Sequence, residues 1–278
     1  MTQSVSWRPR IIALDIDGTL LSWADATGRR PPRISRPVRE AVRDAYDAGT
    51  HIVLASGRAG HGMTHVADLL GLPRNGSDRL WAVASNGAVV LRYPPLDVVH
   101  EDVFDASEAV REVLRHRPAA LVAVEEPGVG YRVNRPFPTG ELSGAMIPTA
   151  VAEMVARPVS RVIIRDPDAT EADFMALAAG IGLHQTSYFV GWTAWLDISP
   201  VGVDKSSGLA RVAGELGVAA HDVLSIGDGR NDLEMLAWSG RGVAMGQAIE
   251  QVRAAADAVT APVTEDGVAL ELRRWFPR

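Results

Sequence analysis

Apolar residues fall along the chain in short unbroken runs separated by longer, helically spaced ones. Unbroken runs occur at Ile11–Leu14, His51–Ala55, Leu80–Ala84, Trp195–Ser199, Val223–Ile226 and Gly242–Met245. Each is short enough for a strand buried on both faces. Between the first two, Val38, Val42 and Ala45 share one helical face, with Ser35 placed to cap, Pro37 in the first turn and Gly49 at the end. Val66, Leu69 and Leu70 repeat the pattern up to Gly71. Leu209, Val212, Ala213 and Leu216 repeat it up to Gly217, Leu233, Leu236 and Ala237 follow, and a last helix ends near Trp275. Alternating strands and helices predict an α/β fold: a doubly wound, Rossmann-like parallel sheet with helices on both faces.

The middle of the chain breaks this rhythm. Leu121–Glu125 and Arg161–Arg165 read as strands, while Val110, Val113 and Leu114 mark one helix and Phe174, Leu177, Ala178 and Ile181 another. Pro and Gly between Pro127 and Pro148 predict a long loop. The reading is an α+β module inserted at 88–193, dividing a core made of 1–87 and 194–278.

Bulk properties narrow the function. The chain has 278 residues, 47% of them hydrophobic, enough for two domains. Net charge is −6, and no basic track suited to a phosphate backbone is present, so nucleic acid is not an expected partner. Arg29, Arg30, Arg33 and Arg36 form the one basic stretch, read as a solvated loop entering a helix. There are no cysteines, which excludes disulfides, thiolate metal sites and thiol catalysis. The first ten residues lack the apolar stretch of a signal peptide, and no run approaches a membrane span, so a cytoplasmic location is expected. Nothing in the sequence speaks to oligomeric state.

The chemistry-bearing residues cluster where the strands end. Asp15 and Asp17 follow the first run, Ser56, Gly57 and Arg58 the second, Asn86 and Gly87 the third, and Asp228, Asn231 and Asp232 the run at Val223–Ile226. Ligands of doubly wound sheets bind beyond these carboxyl ends. Asp15 and Asp17 stand two apart, so both side chains can point at one spot, with no neutralising partner nearby in sequence. An ordinary Asp-Gly turn is the competing reading for each acidic pair. Lys205, at a helix start, reads on its own as a surface lysine. Together, oxygen ligands without His or Cys select Mg²⁺, and a hydroxyl with an ammonium suits a phosphoryl group. An ionised Asp beside that phosphoryl group can act as a nucleophile.

These residues, in this order, resemble the four motifs of the haloacid dehalogenase-like (HAD) superfamily, in particular its Cof-type phosphatases. Asp15-Ile-Asp17-Gly18-Thr19-Leu20, Ala55-Ser56-Gly57-Arg58, Lys205 and Gly227-Asp228-x-x-Asn231-Asp232 match in turn. Asn86-Gly87-Ala88, Met245-Gly246 and Glu265-Asp266-Gly267 also look Cof-like. The resemblance implies Asp15 as nucleophile and metal ligand. It makes Asp17 the general acid and base, lending its carbonyl to the metal. Ser56, Gly57, Lys205 and Asn231 would hold phosphate, and Asp228 and Asp232 would complete the Mg²⁺ site. Arg58, Asn86 and Gly87 are candidate substrate contacts. Gly229 departs from the Ser, Asn or Glu common in relatives. The implied function is Mg²⁺-dependent hydrolysis of a small phosphorylated metabolite, a sugar phosphate or phosphorylated cofactor, through an aspartyl-phosphate. A phosphomutase and a non-catalytic phosphometabolite-binding protein are the alternatives. Tyr188, Phe189, Trp192 and Trp195 either pack the cap or line its pocket.

Overall fold

Every strand-end motif hangs from one eight-stranded sheet of order β14-β13-β12-β1-β2-β3-β4-β5. The computed structural model describes residues 7–22, 33–170, 172–173, 176–177, 186–191 (backbone only) and 195–278. The strands are β1 Ile11–Leu14, β2 His51–Ala55, β3 Leu80–Ala84, β4 Val89–Tyr93, β5 Asp97–Glu101, β12 Val223–Gly227, β13 Arg241–Ala244 and β14 Ala258–Val259. β1 lies at the centre, parallel to both β2 and β12.

Strand alternation explains why β1 is apolar throughout. Ile12 and Leu14 join the core cluster formed with Val38, Val42, Val66 and Leu70 on one face. Ile11 and Ala13 join Leu209, Val212, Ala213 and Met235 on the other. Helices Arg36–Asp47 and Gly60–Leu70 therefore cover one face, and Lys205–Glu215 and Leu233–Trp238 cover its opposite. The Ser35 hydroxyl caps the first of these by accepting from the Val38 amide. Where one final helix ending near Trp275 was expected, two short ones at Glu250–Ala255 and Gly267–Leu272 flank β14.

A second sheet has six strands, in the order β10-β11-β9-β6-β7-β8. They are β6 Leu121–Glu126, β7 Gly130–Val133, β8 Ala145–Pro148, β9 Val162–Arg165, β10 Thr186–Gly191 and β11 Trp195–Pro200. One face, with Val122, Val124, Val162, Ile164, Leu196 and Ile198, packs against helix Ser107–His116. The other packs Ala123, Tyr131 and Ile163 with Ala59 of the larger sheet's helical layer. This is the α+β cap.

Sheet membership corrects the boundaries read at 87/88 and 193/194. β4 and β5 turn back antiparallel onto β3 and extend the core sheet, so 89–101 belongs with the core. Trp195–Ser199, read as a returning core strand, pairs with β9 and β10 instead. The expected long loop contains β7 and β8. The helix expected around Phe174 and Ile181 lies largely outside the described residues, as do Arg29, Arg30, Trp192 and the side chains of Tyr188 and Phe189. Trp195 is half-buried and packs edge-on against Phe137.

Candidate active site

At the carboxyl end of β1 the chain brings Asp15 against two acids contributed by the neighbouring β12. Carboxylate oxygens of Asp15, Asp228 and Asp232 lie within 4.8 Å of one another, all buried. Lys205 reaches into this group from the first turn of its helix. Its Nζ donates to Asp15 Oδ1 and to Asp232 Oδ1, each at 2.6 Å, and the side chain is fully buried. The surface-lysine reading of Lys205 is thereby overturned. Asp204 fixes the helix start through a capping box with Ser207, which sets where Lys205 emerges.

Among these four groups the carboxylates outnumber the ammonium three to one. Burial, and next the Asp232 carboxylate, push the Asp15 carboxyl well above the usual range, with Lys205 pulling the other way. Burial would lower the Lys205 ammonium, but Asp15 and Asp232 outweigh it and hold it above the usual lysine range. A hard divalent cation is the natural complement: it brings two positive charges to an all-oxygen donor set. Asp232 has a second job, since its Oδ2 accepts from the Asp228 and Gly229 amides at 3.0 and 2.8 Å. Gly229, the departure from the family motif, contributes its backbone N–H here.

Close backbone approach shapes this centre at two glycines. Gly18 has φ +90°, and a Cβ there would overlap the Asp228 carboxylate. Gly87 has φ +105°, and a Cβ there would overlap the Asp204 carbonyl at the Lys205 helix start.

Asp17 is separated from Asp15 in function-relevant geometry. The two acids were expected to share one spot with no partner. Instead Arg58 forks the Asp17 carboxylate, Nε to Oδ2 at 2.7 Å and Nη2 to Oδ1 at 2.5 Å. The Asp17 side chain is not part of the acidic cluster. Ser56 is buried, and its hydroxyl accepts from the Arg58 amide. Asn231 Nδ2 donates to Asn86 Oδ1 at 2.9 Å, next to Gly57. Two residues assigned separately to phosphate and to substrate thus hold each other.

One contributor went unread in the sequence. Gln247 Nε2 donates to the Gly18 carbonyl at 2.6 Å and to Asp228 Oδ2 at 3.2 Å, while its Oε1 accepts from the Val263 amide. It lies just past the Met245-Gly246 pair, whose position after β13 was its only signal. Such support would orient Asp228 toward a bound cation. Gln247→Ala is expected to weaken divalent-cation binding about 10-fold or more, measured by calorimetric titration; unchanged affinity would show that Gln247 does not support a cation there.

Comparison with known proteins follows the same lines. Residues 12–119 and 155–272 match the family of haloacid dehalogenase-like hydrolases. A phosphoglycolate phosphatase of Natronomonas pharaonis is 30% identical over 266 residues, spanning 95% of this chain and 96% of that protein. A 5-amino-6-(5-phospho-D-ribitylamino)uracil phosphatase of Bacillus subtilis is 27% identical, spanning 96% of this chain and 95% of its own. A solved phosphatase of the haloalkanoate enzyme superfamily from Bacteroides thetaiotaomicron aligns over 99% of this chain and 98% of its own, with 26% identity and a TM-score of 0.77. Among the described residues, no helix is long and apolar enough to cross a membrane.

Proposed function

Because the chain belongs to the haloacid dehalogenase-like hydrolases, of the Cof type, and is a phosphoric monoester hydrolase, we propose that it hydrolyses a small phosphorylated metabolite with Mg²⁺ through an aspartyl-phosphate on Asp15. The observation that carries this reading is the buried Asp15–Lys205–Asp232 arrangement beside Asp228. Asp15, Asp228 and Asp232, with the Asp17 carbonyl, are the groups that would hold the ion. When bound, Mg²⁺ offsets the charge of the acids and of the phosphoryl oxygens.

In the first step an Asp15 carboxylate oxygen attacks phosphorus and the bond to the leaving oxygen breaks. Asp17 gives that oxygen a proton. In the second step water attacks phosphorus, passing its proton to Asp17, and the acyl–phosphate bond breaks to restore Asp15 and release phosphate. Lys205 fixes Asp15 for attack and offsets charge that builds on the phosphoryl group. Ser56 and the Gly57 backbone supply further donors, and Asn231 and Asn86 brace the same rim.

Arg58 gives this scheme an entry requirement. Its guanidinium occupies the Asp17 carboxylate, so Asp17 can serve the leaving oxygen only once that pair opens. An incoming phosphate ester is the competing anion, and Arg carries the planar fork suited to it. The alternatives of phosphoryl return to substrate or of binding without turnover have no feature of this site in their favour.

Phosphate release from p-nitrophenyl phosphate and from a panel of sugar phosphates and phosphorylated cofactors tests the reading. Turnover is expected with Mg²⁺ and absent in chelator, with label from ¹⁸O-water entering the phosphate. No turnover on any ester, or full turnover in chelator, would reject it.

A further inference from the structure

A buried polar contact, away from the groups that meet the phosphate, joins the two sheets. The Ser85 hydroxyl, at the end of β3, donates to Glu125 Oε2 on β6 at 2.6 Å. Both residues are buried, at 1% and 4% exposure. The cap presents Glu125 rigidly. Arg161, just before β9, lies 3.8 Å from the same carboxylate, and Arg161 is itself forked by Asp197 of β11 and lies 3.5 Å from the Tyr131 hydroxyl. All four cap residues are at least nine-tenths buried.

On the core side the contact lands on an unusual loop. Ser85 and Asn86 are both non-glycine residues with positive φ, 52° and 53°. Such conformations persist where surrounding bonds over-determine them. Here the Ser85 amide donates to the Arg58 carbonyl at 2.9 Å and the Asn86 amide to the Ser56 carbonyl at 3.1 Å. The Asn86 side chain accepts from Asn231. Ser56, Arg58 and Asn231 are therefore all tied to Ser85 and its neighbour Asn86, and Glu125 holds Ser85 from the cap side.

We infer that Glu125 is a positioning residue for phosphoryl transfer: by accepting the Ser85 hydrogen bond when the cap is seated, it fixes the Ser85–Asn86 loop, and with it Ser56, Arg58 and Asn231. The seating of the cap is thereby transmitted to the groups that hold the transferring phosphate. Glu125 touches no reacting atom in this role and acts through Ser85.

Ser85→Ala deletes one oxygen from the core side. Glu125→Ala removes the acceptor, and Glu125→Gln keeps an acceptor oxygen and the side-chain volume. With p-nitrophenyl phosphate and Mg²⁺, Ser85→Ala and Glu125→Ala are each expected to lower kcat about 10- to 100-fold, with KM little changed. The double variant should be no worse than the poorer single one, because both remove the same bond. Glu125→Gln should stay close to wild type. Hydrogen exchange supplies a readout independent of turnover: amides of Ser85 and Asn86 should exchange faster in both Ala variants and not in Glu125→Gln. Additive losses, a loss confined to KM, or unchanged exchange in the Ala variants would overturn the assignment. This inference rests on the phosphatase reading for its kinetic arm alone. If the wild type hydrolyses no phosphate ester, that reading fails, while the exchange comparison still decides whether Glu125 fixes the loop.

Discussion

Lys205→Ala is expected to cost about 3–5 kcal/mol of stability and to lower kcat/KM by about 10³-fold or more. The stability loss follows from what the ammonium leaves behind. Asp15 and Asp232 each give it one oxygen at 2.6 Å, in a place water does not reach. Without Nζ, three mutually close carboxylates lose the ammonium that two of them share. The cost of unpairing buried charge exceeds the cost of the small void left by the side chain. Thermal unfolding in chelator, with wild type alongside, reads the effect. Mg²⁺ should stabilise Lys205→Ala by more than it stabilises the wild type, because the ion restores the missing positive charge. Equal stability of the two proteins in chelator would mean that the acids do not carry the charge assigned to them.

That result would test a residue whose role the motif order suggests but whose burial the local sequence conceals. Lys205 sits at a helix start, where local rules put lysine in solvent; its burial is decided by Asp15 and Asp232, 190 and 27 residues away. Asp15, Ser56 and Asp228 were easier to read. Each directly follows a largely apolar, buried strand, and sheet topology places such positions at one edge. The partner of Asp17 was not readable, because Arg58 is 41 residues distant and nothing local links them. Nor could β4 and β5 be told from an insertion. An antiparallel return onto a parallel sheet has no periodicity of its own. Trp195–Pro200 failed for the complementary reason: its apolar run suits either sheet, and only pairing with β9 and β10 assigns it. Gln247 lies in a polar turn and contributes through one amide, a role that leaves no pattern at all.

Asp15→Asn separates the chemical role of Asp15 from its electrostatic one. Turnover should fall on the order of 10⁴-fold or more, since an amide cannot take the phosphoryl group. Stability should move the other way in chelator. Burial and the neighbouring Asp232 and Asp228 carboxylates disfavour the charge on Asp15, with Lys205 in its support. Asparagine removes that charge and keeps an oxygen for the Lys205 hydrogen bond, while Lys205 retains Asp232 as its ion-pair partner. A gain of about 1 kcal/mol, or about 2–4 °C in Tm, is expected for the metal-free protein. The rise in Tm on adding Mg²⁺ should shrink in the variant, because one of the acids that attracts the ion is gone. Turnover near wild type would exclude Asp15 as the nucleophile whatever the stability result. A lower Tm in chelator would instead show that attraction between Asp15 and Lys205 outweighs the repulsion among the three acids, and would place the strain of this centre elsewhere.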